Sequence, residues 1–246
     1  MTARVTALYR HPVKAVGREA VKAAVLTEGE TFPGDRIWAV AHEASKAGPD
    51  AWSPCMGFVR AASSPQLMAV EARLEGDTVT FTHPDRPEIR LNPDREAAAL
   101  IGWLRPLVAE GRAAPARVLR APPGRGMTDT RAPSVTLGNA ASHRALEQRA
   151  GRTLSPHRWR CNIWVDGLAP WEEFDLVGRT LRIGGAEAEV DERIERCEAT
   201  QANPETGRRD TDILGLLDEL GHRDFTVALR VTASGEVRPG DLVRPA

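Results

Sequence analysis

Alternation of apolar and polar residues with a period of two opens the chain. ARVTALYR and REAVKAAVL follow it roughly, and DRIWAVA resumes it after a Pro-Gly turn at Pro33 and Gly34, so strands are expected here. LMAVEARLEGDTVTFTH has the pattern of a hairpin with Glu75-Gly76-Asp77 at its tip. The period then changes. Ala97, Leu100, Ile101, Leu104, Leu107 and Val108 recur on one helical face, and Asp94, after Pro93, is the expected N-cap. Further on, PSVTLG, RCNIWVDG, RTLRIGG, AEAEVDERI and FTVALRV read as strands. Two short helices are expected among them. One runs from Asn139 to Ala150; the other covers about ten residues after a cap at Asp210, with Ile213, Leu214, Leu217 and Leu220 on its apolar side. Turns are expected at Asn203-Pro204-Glu205-Thr206-Gly207 and Pro239-Gly240-Asp241.

Residues 43–65, rich in Gly, Pro, Ala and Ser, read as a long loop. Residues 111–133 are rich in Gly, Pro and Arg with only the short strand ARVLR inside, which suggests a boundary between halves at 1–120 and 121–246. Many short strands and few helices predict a mainly β, α+β fold built as a barrel or two.

Charge excludes some functions. Thirty-three basic and thirty-four acidic side chains leave a net charge of -1, so no bulk field draws the chain to nucleic acid or to a membrane surface. No apolar run approaches the roughly 20 residues of a membrane span. MTARVTALYR has no apolar stretch of signal-peptide length, so a cytoplasmic location is expected. Lys14, Lys22 and Lys46 are the only lysines; a GC-rich coding bias accounts for such a skew toward arginine.

Cys55, Cys161 and Cys197 are scattered and odd in number, and no CxxC pair exists, which argues against a disulfide scaffold and a zinc site. HExxH, GxGxxG, the phosphate-binding P-loop and the GxSxG elbow are absent. What chemistry there is concentrates in a few places. Cys197 has Arg193 and Arg196 beside it in sequence, and positive charge favours a thiolate, which is a soft metal ligand or a nucleophile. It could equally be a core residue or an inert surface thiol. Lys14 follows the first strand, Arg36 enters another, and Arg158 and Arg160 share a face if HRWRCN is extended. Such cations suit phosphate or carboxylate, yet singly each is an ordinary surface charge. His11, His157 and His222 have no partner at catalytic spacing, and Asp191, Glu192 and Glu195 read as a solvated strand face.

The order of segments narrows this. LYRHPVKAVG, TEGETFPGDRIWAV, PSVTLGNAASHRALEQRAG, HRWRCNIWVDGLAPWEEFDLVGRTLRIGG, ERCEATQANPETGRRD and VRPGDLV together resemble the MOSC family, proteins related to the C-terminal domain of molybdenum cofactor sulfurase. The likeness runs from about residue 4 to residue 244 and is most specific over 133–210. The two-part arrangement is similar to the branch that contains the mitochondrial amidoxime reducing component and its bacterial relatives.

The resemblance implies an N-terminal MOSC-N-type β-barrel followed by a MOSC β-barrel of the pyruvate-kinase-barrel kind. It implies a molybdenum cofactor (Mo-molybdopterin) and an oxidoreductase that reduces N-hydroxylated substrates such as amidoximes and hydroxylamines. Pyridoxal phosphate binding attaches to the family only as a general label. Cys197, in the RC pair, matches the catalytic molybdenum ligand. Lys14 and Arg36 match positions that contact cofactor phosphate or pterin, and Arg158, Arg160 and Asn162 fall in the family's RxRxN stretch. Arg196 neighbours the ligand, and Asn139 and Ser142 lie in the segment that helps hold the cofactor. Without a ferredoxin-like extension, electrons are expected from a separate ferredoxin- or cytochrome-type protein. The rival implication is a non-redox cofactor carrier, or a sulfur carrier with a persulfide on Cys197. The chain departs from the family at Ala15, where serine is common, at Cys161, and in a last strand without tyrosine.

Overall fold

A computed structural model describes residues 2–246. In chain order the strands of the first half are β1 (Ala3–Arg10), β2 (Glu19–Val21), β3 (Ala24–Leu26), β4 (Trp38–His42), β5 (Glu71–Glu75), β6 (Thr78–His83) and β7 (Arg86–Leu91). Helix α1 (Ala97–Leu104) and strand β8 (Pro115–Arg120) follow. Next come β9 (Val135–Asn139), α2 (Ala140–Ala150), β10 (Ile163–Asp166), β11 (Thr180–Ile183) and β12 (Ala186–Glu195). The chain closes with α3 (Ile213–Asp218), β13 (Asp224–Ala233), β14 (Gly235–Val237) and β15 (Leu242–Pro245).

The protein is mainly β with three helices, as its alternation requires. The strand order β10-β9-β13-β12-β11-β15-β1 closes on itself because β1 also pairs antiparallel with β10, giving a seven-stranded barrel. Its first strand comes from the start of the chain, and β2 hangs on β1 outside the ring. Inward positions recur every second residue: Val5 on β1, Val135 and Leu137 on β9, Leu181 and Ile183 on β11, and Val227 and Leu229 on β13 share one core. A second core gathers Trp38, Leu67, Phe81, Leu91 and Leu100 between the β4–β8 ribbon, the β5-β6-β7 sheet and α1. A third packs α2 and α3 on the barrel, with Trp159 stacked on Phe225 at 3.6 Å between ring centroids. Among the described residues no helix is long and apolar enough to cross a membrane.

Some local expectations fail for tertiary reasons. Asp94 does not cap α1; its carboxylate accepts from Trp38 Nε1 at 2.8 Å and pairs with Arg120, and the helix begins after Glu96 without a side-chain cap. Asp210 does not cap α3; Asp212 does, accepting from Gly215 N, while Asp210 pairs with Arg158. That helix is six residues long rather than the expected ten or so. Strand β7, RPEIRL, carries too short an alternation to predict a strand, and forms one by pairing with β6.

Candidate functional site

A cavity of about 320 Å³ lies where the loops after β1, β8, β12 and the 3₁₀ turn Pro156–Trp159 meet. That is the lower end of the roughly 300–1,000 Å³ typical of ligand sites. Six cations line it, Lys14, Arg36, Arg60, Arg158, Arg160 and Arg196, against the carboxylates Asp129 and Glu195. Two thiols, Cys55 and Cys197, also face it.

Lys14 is placed by its backbone: its N–H donates to the Trp38 carbonyl at 2.8 Å, where the chain leaves β1 and crosses β4. Its ammonium is buried and donates to the Met127 carbonyl at 2.7 Å and to Asp129 at 2.6 Å. Burial lowers its pKa, and Asp129 offsets part of that.

Arg36 sits at the end of the Phe32–Asp35 turn with φ +52°. Its N–H donates to the His11 carbonyl at 2.7 Å, and its carbonyl accepts from Met127 N at 2.8 Å. The guanidinium pairs with Asp35 and donates to the Arg160 carbonyl at 3.1 Å. Arg160 is also left-handed, φ +48°, because the 3₁₀ turn ends on it. Its side chain donates to the carbonyls of Gly17 (3.1 Å) and Val13 (3.2 Å). Burial, with Arg36 close by, lowers its pKa to about 9, so it stays charged at neutral pH. Ala15, φ +62°, is the third non-glycine residue of the cavity in this region. Such conformations cost about 1–3 kcal/mol each and persist only where the surroundings hold them.

The extended reading of HRWRCN is overturned, since a 3₁₀ turn runs through Arg158 and Trp159. Arg158 and Arg160 still both reach the cavity. Arg158 is almost fully buried, bound to Asp210 at 2.5 Å and to the Thr200 carbonyl at 3.1 Å, and its Nε–H has no partner. Arg196 donates to the Trp159 carbonyl at 2.7 Å, and its buried Nε–H is also unpartnered. Burial lowers the Arg196 pKa. Cys197 is exposed, at the start of the 3₁₀ turn Glu198–Gln201. Its carbonyl accepts from Thr200 N and Oγ1, which fixes the backbone that carries the thiol. Arg193 does not line the cavity; its guanidinium lies 4.5 Å over the Phe174 ring.

Three expected cofactor residues stand away from the cavity lining. Asn162 is buried behind the wall, accepting from Thr136 N (3.1 Å) and Oγ1 (2.9 Å) and donating to the Tyr9 carbonyl (3.2 Å), so it ties β9 to β1. Asn139 caps α2 by accepting from Ala141 N and donates to Glu173 at 2.8 Å. Ser142 also donates to Glu173 at 2.8 Å. These two close a buried polar cluster whose demand is the Glu173 carboxyl. Burial raises the Glu173 pKa, although both hydrogen bonds oppose the shift.

Sequence reasoning did not assign five residues here to a site. Cys55, Arg60 and Asp129 reach the cavity from loops, where no periodicity marks them. Asp35 and His11 form a buried pair behind Arg36 that only its neighbourhood in GDR hinted at. Among the described residues no cluster of three or more His, Cys, Asp or Glu could hold a metal ion.

A family model described as the MOSC N-terminal beta barrel domain matches residues 2–104, and one described as the MOSC domain matches residues 128–244. No curated protein matches the chain. The chain is similar to the YUAD protein of Bacillus subtilis, at 13% identity over 99% of this chain and 94% of that one, with a TM-score of 0.47. It is also similar to YiiM of Geobacillus stearothermophilus, at 18% identity over 46% of this chain and 53% of that one, with a TM-score of 0.37.

Proposed function

The chain belongs to the MOSC family, with the family's N-terminal barrel domain ahead of its MOSC domain, and from that premise we propose that it is a molybdenum-cofactor oxidoreductase that reduces N-hydroxylated substrates. The family is associated with molybdenum-cofactor-related sulfurase and reductase activity. One observation carries the finer reading: an exposed thiol, Cys197, opens on the same cavity as six cations.

The residues fit the group. The lining is cationic, with the Lys14 ammonium and the guanidinium groups of Arg36, Arg160 and Arg196, a donor set that suits a phosphate-bearing anion. Lys14, Arg36 and Arg160 supply charge against the phosphate, and Cys197 supplies one soft donor. Bound there, the cofactor supplies the two-electron chemistry by which an amidoxime or hydroxylamine loses oxygen. The chain's own residues orient it and neutralise its charge. Their carbonyl-anchored backbones keep the cations in place before the ligand arrives, so little reorganisation accompanies binding. Reducing equivalents come from a separate ferredoxin- or cytochrome-type protein in this reading.

The exposure of Cys197 favours one alternative, a sulfur carrier whose persulfide a partner can reach. The deciding experiment uses full-length protein from cells that make the cofactor. Wild type should hold molybdenum and pterin and reduce benzamidoxime with an artificial donor, and Cys197→Ser should keep pterin but lose turnover. Arg36→Ala removes a charge-assisted bond worth roughly 1.5–3 kcal/mol, so pterin content should fall about 10- to 150-fold. Equal turnover by Cys197→Ser refutes the ligand assignment. Loaded wild type without turnover, but with persulfide on Cys197, selects the carrier.

A further inference from the structure

Behind Arg36 lies a carboxylate that no solvent reaches. Asp35 is 0% exposed and His11 2%. Asp35 Oδ1 accepts from the His11 backbone N–H at 2.7 Å and from His11 Nδ1 at 3.0 Å, while Oδ2 pairs with Arg36 Nη1. The two oxygens are therefore assigned: one is tethered to the loop after β1, the other turned to the guanidinium. Burial, reinforced by the charge of Arg160, lowers the His11 pKa to about 3, so the imidazole is neutral and its single proton serves Asp35. Burial opposes ionisation of Asp35, but Arg36 and the His11 hydrogen bonds outweigh it and its pKa falls below the usual carboxylate range. The pair Asp35⁻–Arg36⁺ is thus the buried charge pair, and His11 is its neutral brace.

Arg36 spends two of its five N–H groups inside the protein, one on Asp35 and one on the Arg160 carbonyl. These fix the plane of the guanidinium at two corners. Arg160 and Lys14 are like charges around it, and without a buried anion their repulsion would push a flexible arginine toward solvent. Removing one partner of a buried ion pair leaves the other charge uncompensated, so the effect on position has to be read through Arg36 rather than through stability.

We propose that Asp35 is a positioning residue, braced by His11, that holds the Arg36 guanidinium at the cavity as its anion anchor. This rests on the reading that Arg36 binds the cofactor's phosphate or pterin. Asp35→Asn preserves shape and the acceptor for His11 but turns an N–H₂ toward Arg36 and removes the charge. The test compares wild type, Asp35→Asn, Arg36→Ala and the double variant, each full-length and purified from cofactor-competent cells. The readouts are fluorescent oxidised pterin per chain and the Tm of cofactor-free protein.

Asp35→Asn should lose about tenfold in pterin. The double variant should hold no less than Arg36→Ala alone, because Asp35 acts only through Arg36. A structural role would instead lower pterin further in the double variant than in Arg36→Ala. His11→Leu, which removes one tether of Asp35, is the second variant and should lose about threefold. Wild-type pterin in whichever of Asp35→Asn or His11→Leu folds, or a double variant that multiplies the two single losses, overturns the proposal. Wild-type pterin in Arg36→Ala instead overturns the cofactor reading of Arg36, a separable result.

Discussion

Gly126→Ala is the sharpest structural test of how the site is assembled. A Cβ at residue 126 would lie 2.4 Å from the Asp35 carbonyl oxygen, 3.2 Å from Thr31 Oγ1 and 3.5 Å from Arg36 Cβ. The nearest atom is backbone, in the turn that holds Arg36, so no side-chain end can swing aside. The loop must retreat by close to 1 Å to reach ordinary contact. Three hydrogen bonds run through it: Gly126 N to Thr31 Oγ1 at 3.0 Å, Met127 N to the Arg36 carbonyl at 2.8 Å, and Lys14 Nζ to the Met127 carbonyl at 2.7 Å. Such a shift carries them to or past the hydrogen-bond limit. Overpacking costs about 1–3 kcal/mol and each lost bond about 0.5–1.5, so a net loss of roughly 2–4 kcal/mol is expected. For a chain of this length that is a Tm lower by about 4–16 °C. On the proposed reading of the site, pterin content should fall as well, since Lys14 and Arg36 lose their shared strut. Thermal unfolding and pterin fluorescence read both. A Gly126→Ala protein within about 1 °C of wild type and fully loaded would show that this strut does not hold the cavity together.

Gly102→Ala is the counterpart: residue 102 is exposed inside α1 with nothing within 4 Å of the new Cβ, so stability should rise by about 0.5–1 kcal/mol, and a loss in chemical denaturation would contradict that. Glu173 has its pKa raised by burial, so its contribution is present below the unfolded carboxyl value of about 4.3 and is lost as pH rises through the folded one. Glu173→Gln should therefore gain on wild type as pH climbs from 4 to 7.5, measured as Tm, and a growing deficit over that range would reverse the sign assigned here. Burial pushes the Cys161 thiol up to about 12 whereas Cys197 is exposed, so iodoacetamide at pH 8 should modify Cys197 in the folded, cofactor-free protein and Cys161 only after unfolding. Peptide mapping showing equal native labelling would be inconsistent with the buried placement.

Much of the architecture was written locally. The alternation in ARVTALYR, the EGD hairpin tip and the runs PSVTLG and FTVALRV each satisfy strand geometry by themselves, and they became β1, β5–β6, β9 and β13. Asn139 was legible as a helix start because a cap interacts within two residues of itself. Closure of the barrel was not, since it joins residues 3–10 to residues 163–166, and no local pattern encodes a partner that distant. The same holds for charged side chains. Asp94 and Asp210 stand where caps belong, yet Trp38 with Arg120 and the buried Arg158 offered them stronger partners from afar. Asn139 and Ser142 were recruited by Glu173, because a buried carboxyl must find donors wherever the fold places them. Lys14, Arg36, Arg160, Arg196 and Cys197 could be singled out by residue type and family likeness, but their convergence on one cavity, with Cys55 and Asp129 added, came from tertiary packing. Sequence determines which groups can carry charge or a thiolate; only packing decides which of them share a low-dielectric space and which are spent on the fold.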